Sequence, residues 1–354
     1  MTETWSDLVA TPARRGAPLR PGRVPIASPG RRPAARRHRP SPAATQAWIV
    51  AGEPTPTNEL LADAFAHRGL ACSIALPARV EVRPGDVVLA RLDVSPSLDG
   101  IEPGLWLLPR LDRRGATVLN PAHALLAAHD KLSTALRLAR AGIPHPRTAH
   151  AWEVRVPARL RPPFVVKPRF GSWGRDIFRC DSPEALLACL ETVRRRSWFR
   201  RHGAVVQELV RSHGRDLRIV VAAGRVVGAI ERVARPGEWR TNVALGAVRR
   251  QVVPPLEARH AALRAAAAIG IDLAGIDLVL DGSGRYVVLE LNGAVDFTPD
   301  YAYDGGDVFG SAVDALLAAA RIGTPRVLES RSTVALGRRV DRALEPAQEA
   351  QRGA

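Results

Sequence analysis

Residues 275–292 read GIDLVLDGSGRYVVLELN. Two aliphatic runs flank DGSG, the composition of a tight turn between two buried strands. With Gly282 and Ser283 as a two-residue turn, Asp281 pairs with Gly284 and Asp277 lies opposite Val288. Side chains alternate along a strand, and directly opposed residues share a face. Asp277, Glu290 and Asn292 therefore point to one side, and Ile276, Leu289 and Leu291 to the other. Three oxygen donors on one face of an apolar hairpin repel one another and are costly to bury alone. A hard cation such as Mg²⁺ relieves that cost, with phosphates completing its shell. The alternative is a solvated face with ordinary charges, and the aliphatic neighbours weigh against it.

Upstream, residues 165–176 read VVKPRFGSWGRD. The chain has 51 Lys plus Arg, and only Lys131 and Lys167 are lysine, so 49 are arginine. A bias that strong would have replaced any lysine that needed only to be positive. Lys167 ends an apolar strand, and Gly171 and Gly174 follow it. Glycines let backbone N–H groups approach phosphate oxygens. A lysine beside them acts as a compact point charge, which an arginine fork does not reproduce.

Around these two stretches the chain alternates. Residues 47–51, 70–76 and 86–91 read as buried strands, with a helical period over 58–67, which predicts a small α/β domain. Residues 120–141 read as one helix, with Pro121 early and Gly142 just past its end. Pro144 and Pro146 suggest a boundary near 145. A strand over 164–167 and a helix over 181–196 follow. From 205 the pattern turns to strands, with a hairpin about Ala223 and Gly224, and helices are expected over 257–269 and 308–320. The expected organisation is a basic Pro/Arg-rich disordered tail (1–45), an α/β domain (46–128), a central lid (129–205), a C-terminal subdomain with the metal site (206–325) and a second tail (326–354).

Composition bounds the function. The chain has 354 residues, 46% hydrophobic and 24% charged, as globular proteins of two or three domains are. It contains no run of about 18 apolar residues, so no membrane span is expected. No apolar secretory segment opens the sequence, and Cys72, Cys180 and Cys189 form no CxxC pair, so a cytoplasmic location is expected. The net charge is +16. Residues 1–40 hold nine Arg against Glu3 and Asp7, a net +7, which leaves +9 for the other 314 residues. With aromatics at 5% there is no stacking platform, so specific nucleic-acid recognition is not expected. The sequence contains no G-x-S-x-G, and no Cys has an obvious His partner, so a hydrolase reading is poor.

Seven pieces in order resemble the ATP-grasp ligases, most closely the RimK-type glutamate ligases. They are HDKLSTALRLARAGIPHPRT (129–148), FVVKPRFGSWGRD (164–176), VVQELV (205–210), GRDLRIVV (214–221), AIERVARPGEWRTNVALGA (229–247), AGIDLVL (274–280) and VLELNGAVDF (288–297). An ordered series is far more specific than any one piece. The resemblance covers about 47–320 and implies an α/β fold in which a small N-terminal domain, a lid and an antiparallel C-terminal subdomain clasp ATP.

The resemblance also implies roles. Lys131 and Lys167 would contact the phosphates of ATP, and Gly171, Ser172, Trp173 and Gly174 would form the loop over them. Glu208 and Leu209 would sit at the hinge that reads adenine. Asp216 would bind the nucleotide. Arg218, Arg240, Thr241 and Asn242 would line the phosphate and substrate side, with Arg218, Arg240 and Asn242 as the catalytic set. Surface charge is the competing reading for the arginines. Asp277, Glu290 and Asn292 would hold Mg²⁺ or Mn²⁺, as two ions. The implied reaction forms an amide from a carboxylate and an amine at the expense of ATP, by way of an acyl phosphate. The partners are an amino acid such as glutamate and a carboxylate on a peptide, protein or small molecule, and relatives suggest a homo-oligomer. GSWGR at 171–175 also resembles the lysine-biosynthesis ligases that act on a carrier protein, but NGAVDF at 292–297 departs from that group. Natural-product peptide-modifying ligases are a further option. A different class would be a nucleotide-binding or tail-mediated interaction protein without turnover.

Overall fold

The computed structural model describes residues 45–321. Both expected tails fall outside those residues, save for Thr45 at the edge of the first. The chain opens with β1 (Ala47–Val50), α1 (Pro56–Ala66), β2 (Cys72–Ala75), β3 (Val87–Ala90), α2 (Leu108–Arg113) and β4 (Thr117–Leu119). The four strands form a parallel sheet in the order β2-β1-β3-β4. Helix α1 starts where Thr55 accepts a bond from the Asn58 N–H and Pro56 supplies a preset φ.

Next come α3 (Ala122–His129) and α4 (Lys131–Arg140). The single helix expected over 120–141 is thus two. Asp130 breaks it in an extended conformation, φ −86° and ψ 100°, and caps α4 through the Leu132 N–H. Its carboxylate also takes both prongs of Arg169, at 2.7 and 2.6 Å, and its backbone bridges Phe170. These tertiary bonds outweigh the one helical turn lost.

The middle of the chain gives β5 (Thr148–Ala151), β6 (Phe164–Pro168), β7 (Phe178–Cys180), α5 (Pro183–Val193), α6 (Ser197–His202) and β8 (Ala204–Glu208). These strands make a second sheet, antiparallel, in the order β5-β8-β6-β7. Ser182 caps α5 through the Ala185 N–H, with Pro183 at its first position. The helix expected to reach 196 stops at Val193, and α6 follows it.

A third sheet holds β9 (Arg215–Ala222), β10 (Arg225–Val233) and β11 (Val248–Gln251), then, after α7 (Leu256–Ile269), β12 (Leu273–Leu280) and β13 (Tyr286–Asn292). Its order is β11-β10-β9-β12-β13, antiparallel throughout. Helix α8 (Val308–Arg321) closes the described chain. The first and third sheets share two apolar cores. One includes Val88, Leu125, Ile219 and Ile276, and the other Ile49, Phe65, Val220 and Leu316. The second sheet has a separate core around Phe164, Leu186 and Trp198, joined by Val94 and Leu98. A parallel sheet followed by antiparallel ones agrees with the α/β class. Among the described residues no helix is long and apolar enough to cross a membrane.

The decisive hairpin has a different register from the two-residue turn. Gly282, Ser283 and Gly284 make a three-residue loop closed by Asp281 N–H to Arg285 O at 2.9 Å, with Gly284 at φ +79°. Asp281 ties the loop down by accepting from Ser283 and Arg285. A bulge then falls at Leu289, so Asp277 lies opposite Glu290 rather than Val288. Asp277, Glu290 and Asn292 still share a face. Leu289 does not stay with Ile276 and Leu291, because the bulge turns it towards the same side as Glu290, where it lines a cavity.

Candidate active site

A cavity of about 640 Å³ opens between the second and third sheets. At one end it is walled by Pro163, Val165, Ile177, Leu209, Val279 and Leu289, an apolar slot. At the other end Lys167, Asp216, Arg232, Asn242, Asp277 and Glu290 face inward.

The two lysines converge here. Lys131 begins α4, which the Asp130–Phe170 bridge fastens to the end of β6, where Lys167 sits. The Lys131 Nζ donates to Gly171 O at 2.5 Å and lies 3.5 Å from a Glu290 oxygen. Both side chains are buried. Burial pushes Lys167 down to about 8, opposed by Glu290 and aided by Lys131. Lys167 is thus a cation held in a dry site with one carboxylate shared between two lysines.

A charged ladder crosses the third sheet on the face below. Arg232 stands directly opposite Asp216, and Asp277 opposite Arg218, as cross-strand pairs. Arg218 grips Asp277 with two bonds of 2.7 Å, Arg232 grips both oxygens of Asp216, and its Nη2 lies 2.9 Å from Asp277. The Thr241 hydroxyl adds a bond to Asp216 at 2.7 Å. Burial raises Asp216 despite Arg232. Burial also works to raise Asp277, but Arg218 and Arg232 together overcome it and hold the carboxyl well below its ordinary range. Arg232 is raised in turn, because Asp277 and Asp216 outweigh its own desolvation.

The loop after β6 is the roof. Trp173 has φ +63° and is 56% exposed, and Gly174 has φ +71°. A Cβ on Gly174 would stand 2.9 Å from Asn242 Oδ1. Arg240 reaches across to Gly174 O at 3.3 Å while Glu238 holds its guanidinium at 2.9 and 3.0 Å. That grip draws Glu238 down to about 2. At the hinge, the Glu208 N–H donates to Arg147 O and the Leu209 N–H to Pro163 O, so both donors are spent inside the protein. A base reading this edge would meet the carbonyl side of the strand end.

All the residues expected at the site lie at this junction. Gly171, Ser172, Trp173, Gly174, Arg240, Thr241 and Asn242 cover it, Glu208 and Leu209 close its apolar end, and Asp216, Arg218, Asp277, Glu290 and Asn292 floor it. Arg232 and Glu238 went unread in the sequence. A regular hairpin about Ala223 and Gly224 would put Arg232 opposite Arg215, but a bulge at Val227 shifts it onto Asp216. Gly228, inside β10 and beside that bulge, is the one local mark of it. Glu238 could have been found, since it sits two residues before Arg240 in a loop of like purpose.

The donor set does not by itself suit a divalent cation held by protein alone. Both Asp277 oxygens are taken by arginines, whereas Glu290 has one loose contact and the Asn292 amide nitrogen is buried without a partner. Three carboxylates (Asp216, Asp277, Glu290) meet four cations (Arg218, Arg232, Lys131, Lys167), so the face has no surplus negative charge. Among the described residues no cluster of three His, Cys, Asp or Glu side chains is disposed to hold a metal. Glu290 and Asn292 fit a cation that arrives with phosphates, rather than one held by protein alone.

Comparison with known proteins gives this geometry a context. The model of the RimK-like ATP-grasp domain matches residues 128–316. Tetrahydromethanopterin:alpha-L-glutamate ligase of Methanosarcina acetivorans is 30% identical over 214 residues, 56% of this chain and 66% of that one. The chain thus spans just under two thirds of that relative. A probable alpha-L-glutamate ligase of Aeromonas salmonicida is 30% identical over 242 residues, 67% of this chain and 78% of that one. The RimK domain ATP-grasp protein of Sphaerobacter thermophilus shares the fold at a TM-score of 0.57 and 22% identity, covering 77% of this chain and all of that one. The matched segment begins two residues before Asp130 and runs past Asn292, so it contains both lysines, the roof, the ladder and the decisive hairpin. The chain belongs to the RimK-like ATP-grasp family of ligases.

Proposed function

We propose that the protein joins a carboxylate to the amine of an amino acid, with ATP converted to ADP and phosphate through an acyl phosphate. The observation that carries this reading is the convergence of Lys131 and Lys167 on Glu290 beside an apolar slot. Amide formation is uphill in water, so the acid must first be activated. A carboxylate oxygen attacks the γ-phosphorus, the bond to the β-phosphate oxygen breaks, and ADP leaves. The amine nitrogen then attacks the acyl carbon, the carbon–oxygen bond to phosphate breaks, and a proton is lost from nitrogen. Such a path gathers negative oxygens and needs cations more than a protein nucleophile.

In this reading Lys131 and Lys167 hold the phosphates, and the 171–174 loop excludes water from a labile anhydride. Val279 and Leu289 of the third sheet, with Val165 and Ile177 on the side of the second, sandwich the adenine near Glu208 and Leu209. Arg240 and Asn242 fasten the loop when it is down. Arg218 stands ready for a phosphate or carboxylate if Asp277 releases it, and Thr241 keeps Asp216 oriented. Glu290 and Asn292, with Asp277 behind them, would hold Mg²⁺ or Mn²⁺, which when bound neutralises phosphate oxygens. Glutamate is the amine favoured by the names of the relatives above, and the acid is a peptide or small carboxylate.

The first test is a thermal shift with ADP and Mg²⁺ on the wild type and on Glu290→Gln. A ligand that binds only the folded state must raise the melting temperature. The expected result is a shift in the wild type whose Mg²⁺-dependent part is mostly lost in the variant. No shift at saturating nucleotide would sink the ligase reading. Trapping with hydroxylamine then reports the acyl phosphate as a hydroxamate.

A further inference from the structure

Between β10 and β11 the chain reads RPGEWRTN, residues 235–242. Proline followed by glycine is the composition of a tight turn whose third residue needs a positive φ. Gly237 meets that need at φ +82°, and the Glu238 N–H closes the turn by donating to Arg235 O at 3.1 Å. Such a turn sets the direction in which the chain leaves it, so the placing of Glu238 is local. The side chain then folds back on the backbone that follows. The N–H groups of Trp239 and Arg240 both donate to Glu238 Oε1 at 3.0 Å.

By charge alone this carboxylate is out of place. Glu238 lines the cavity read as the phosphate site, where a free negative charge would repel the ligand. Of the other carboxylates at that polar end, Asp216 and Asp277 belong to the ladder, and Glu290 faces the two lysines. Glu238 has a partner of its own. Arg240 donates to it from Nε at 3.0 Å and from Nη2 at 2.9 Å, one bond to each oxygen. A two-pronged pair of this kind is the strongest and most directional form of the contact. Since the grip draws Glu238 down to about 2, it stays charged at any working pH and is no general acid or base.

What the grip does is fix Arg240. An arginine is a long, rotamer-rich side chain, and holding it in one pose costs entropy. Here the turn fixes Glu238, Glu238 fixes one edge of the guanidinium, and the Trp239 ring flanks it with its centroid 5.8 Å away. The opposite edge is thereby turned to the roof, where Nη1 donates to Gly174 O at 3.3 Å. The contact is close on that side, since a Cβ on Gly174 would stand 2.9 Å from Asn242 Oδ1. Two of the five N–H donors of Arg240 go to Glu238 and one to the roof, which leaves two for an anion in the cavity.

We propose that Glu238 is the positioning residue of a roof latch: it aims the Arg240 guanidinium at the Gly174 carbonyl, so that the 171–174 loop locks over a bound nucleotide. Glu238 touches no reacting atom and acts only through Arg240. Because Arg240 keeps donors for an anion while it holds the roof, closure and phosphate binding reinforce each other. The inference rests on the ligase reading for the nucleotide under the roof. It adds to that reading a carboxylate that neither the phosphates nor the cation requires.

The experiment is hydrogen exchange of the 171–176 segment, read by mass spectrometry with and without Mg²⁺ and ADP. It compares the wild type with Glu238→Gln, Glu238→Asp, Arg240→Gln and the Glu238→Gln/Arg240→Gln double variant. In the wild type, nucleotide is expected to slow exchange of the segment by about tenfold or more, the worth of one charge-assisted hydrogen bond. Glu238→Gln keeps the size and an acceptor oxygen but not the charge. It should lose most of that slowing with little change in melting temperature and none in exchange elsewhere, which a merely structural role would not produce. Glu238→Asp keeps the charge and should recover part of it. The double variant should match Arg240→Gln, because Glu238 works through that residue alone. The latch is overturned if Glu238→Gln protects the roof like the wild type, if Glu238→Asp does no better, or if the two effects add. A thermal shift with Mg²⁺ and ADP on the same samples separates the readings. A shift in the wild type without slower roof exchange strikes the latch alone, and that comparison needs no variant to fold. No shift in the wild type strikes the ligase reading. The wild type and Glu238→Gln are then compared without nucleotide, where the Arg240–Gly174 bond already stands, and equal roof exchange overturns the latch.

Discussion

At the scale of single residues, Lys167 is the sharpest case. Its proton affinity is depressed in the fold, from 10.5 to about 8, chiefly by burial. The unfolded chain keeps that proton up to about pH 10.5, so below pH 8 the charged lysine costs the folded state its full penalty. The penalty fades as pH rises from 8 towards 10.5. Lys167→Met should therefore raise stability at pH 7 by on the order of 1–3 kcal/mol and abolish ligation. The gain over wild type should shrink by pH 10, as read by chemical denaturation across pH. Arg232 behaves oppositely. It neutralises Asp216 and Asp277 where both are buried. Arg232→Ala leaves those carboxylates facing each other and should cost about 3 kcal/mol or more, measured as a drop in the denaturation midpoint at unchanged slope. Lys167 was legible from its rarity among arginines. Arg232 was not, because one arginine among 49 is marked only by the carboxylate opposite it.

At the scale of elements, the break between α3 and α4 aims the first lysine. A continuous helix over 120–141 would satisfy local propensity, and it is what the apolar period suggests. The break is maintained by Asp130, through its cap on Leu132 and its two bonds to Arg169. Asp130→Ala should cost about 1–3 kcal/mol and weaken Mg²⁺–ADP by at least several-fold, because Lys131 loses its anchor; titration calorimetry reads the second effect. The roof loop is latched in the same way. Gly174→Ala forces a side chain into φ +71° and against Asn242, a strain of about 1–2 kcal/mol. Its expected signature is faster proteolysis of the 171–176 segment in the presence of nucleotide, with little change in melting temperature.

At the scale of the molecule, the site exists only where the second and third sheets face each other. Lys167 comes from one, and Asp277 and Glu290 from the other. A nucleotide binding across that gap ties together the separate core of the second sheet and the shared cores of the other two. The residues placed at the phosphate cavity run from Lys131 to Asn292. Deleting residues 1–43 should thus leave the Mg²⁺–ADP shift within about 1 °C of the full chain's. Loss of the shift on deletion would mean that the N-terminal segment contributes to the site.

The fold class, the two lysines and the acidic face of the last hairpin could all be read from residue order, because they depend on local composition. Apolar runs mark strands, glycines mark loops, and a rare lysine marks a place where arginine will not serve. What residue order did not contain were the distances closed by other parts of the chain. Two bulges, at Val227 and Leu289, set which residues stand opposite each other, and a bulge reflects the packing of a whole sheet rather than the preference of one residue. For the same reason the Arg218–Asp277–Arg232–Asp216 ladder appears only in three dimensions. Its members are separated by up to about sixty residues, and a charge paired at that range shows no partner until the chain has folded.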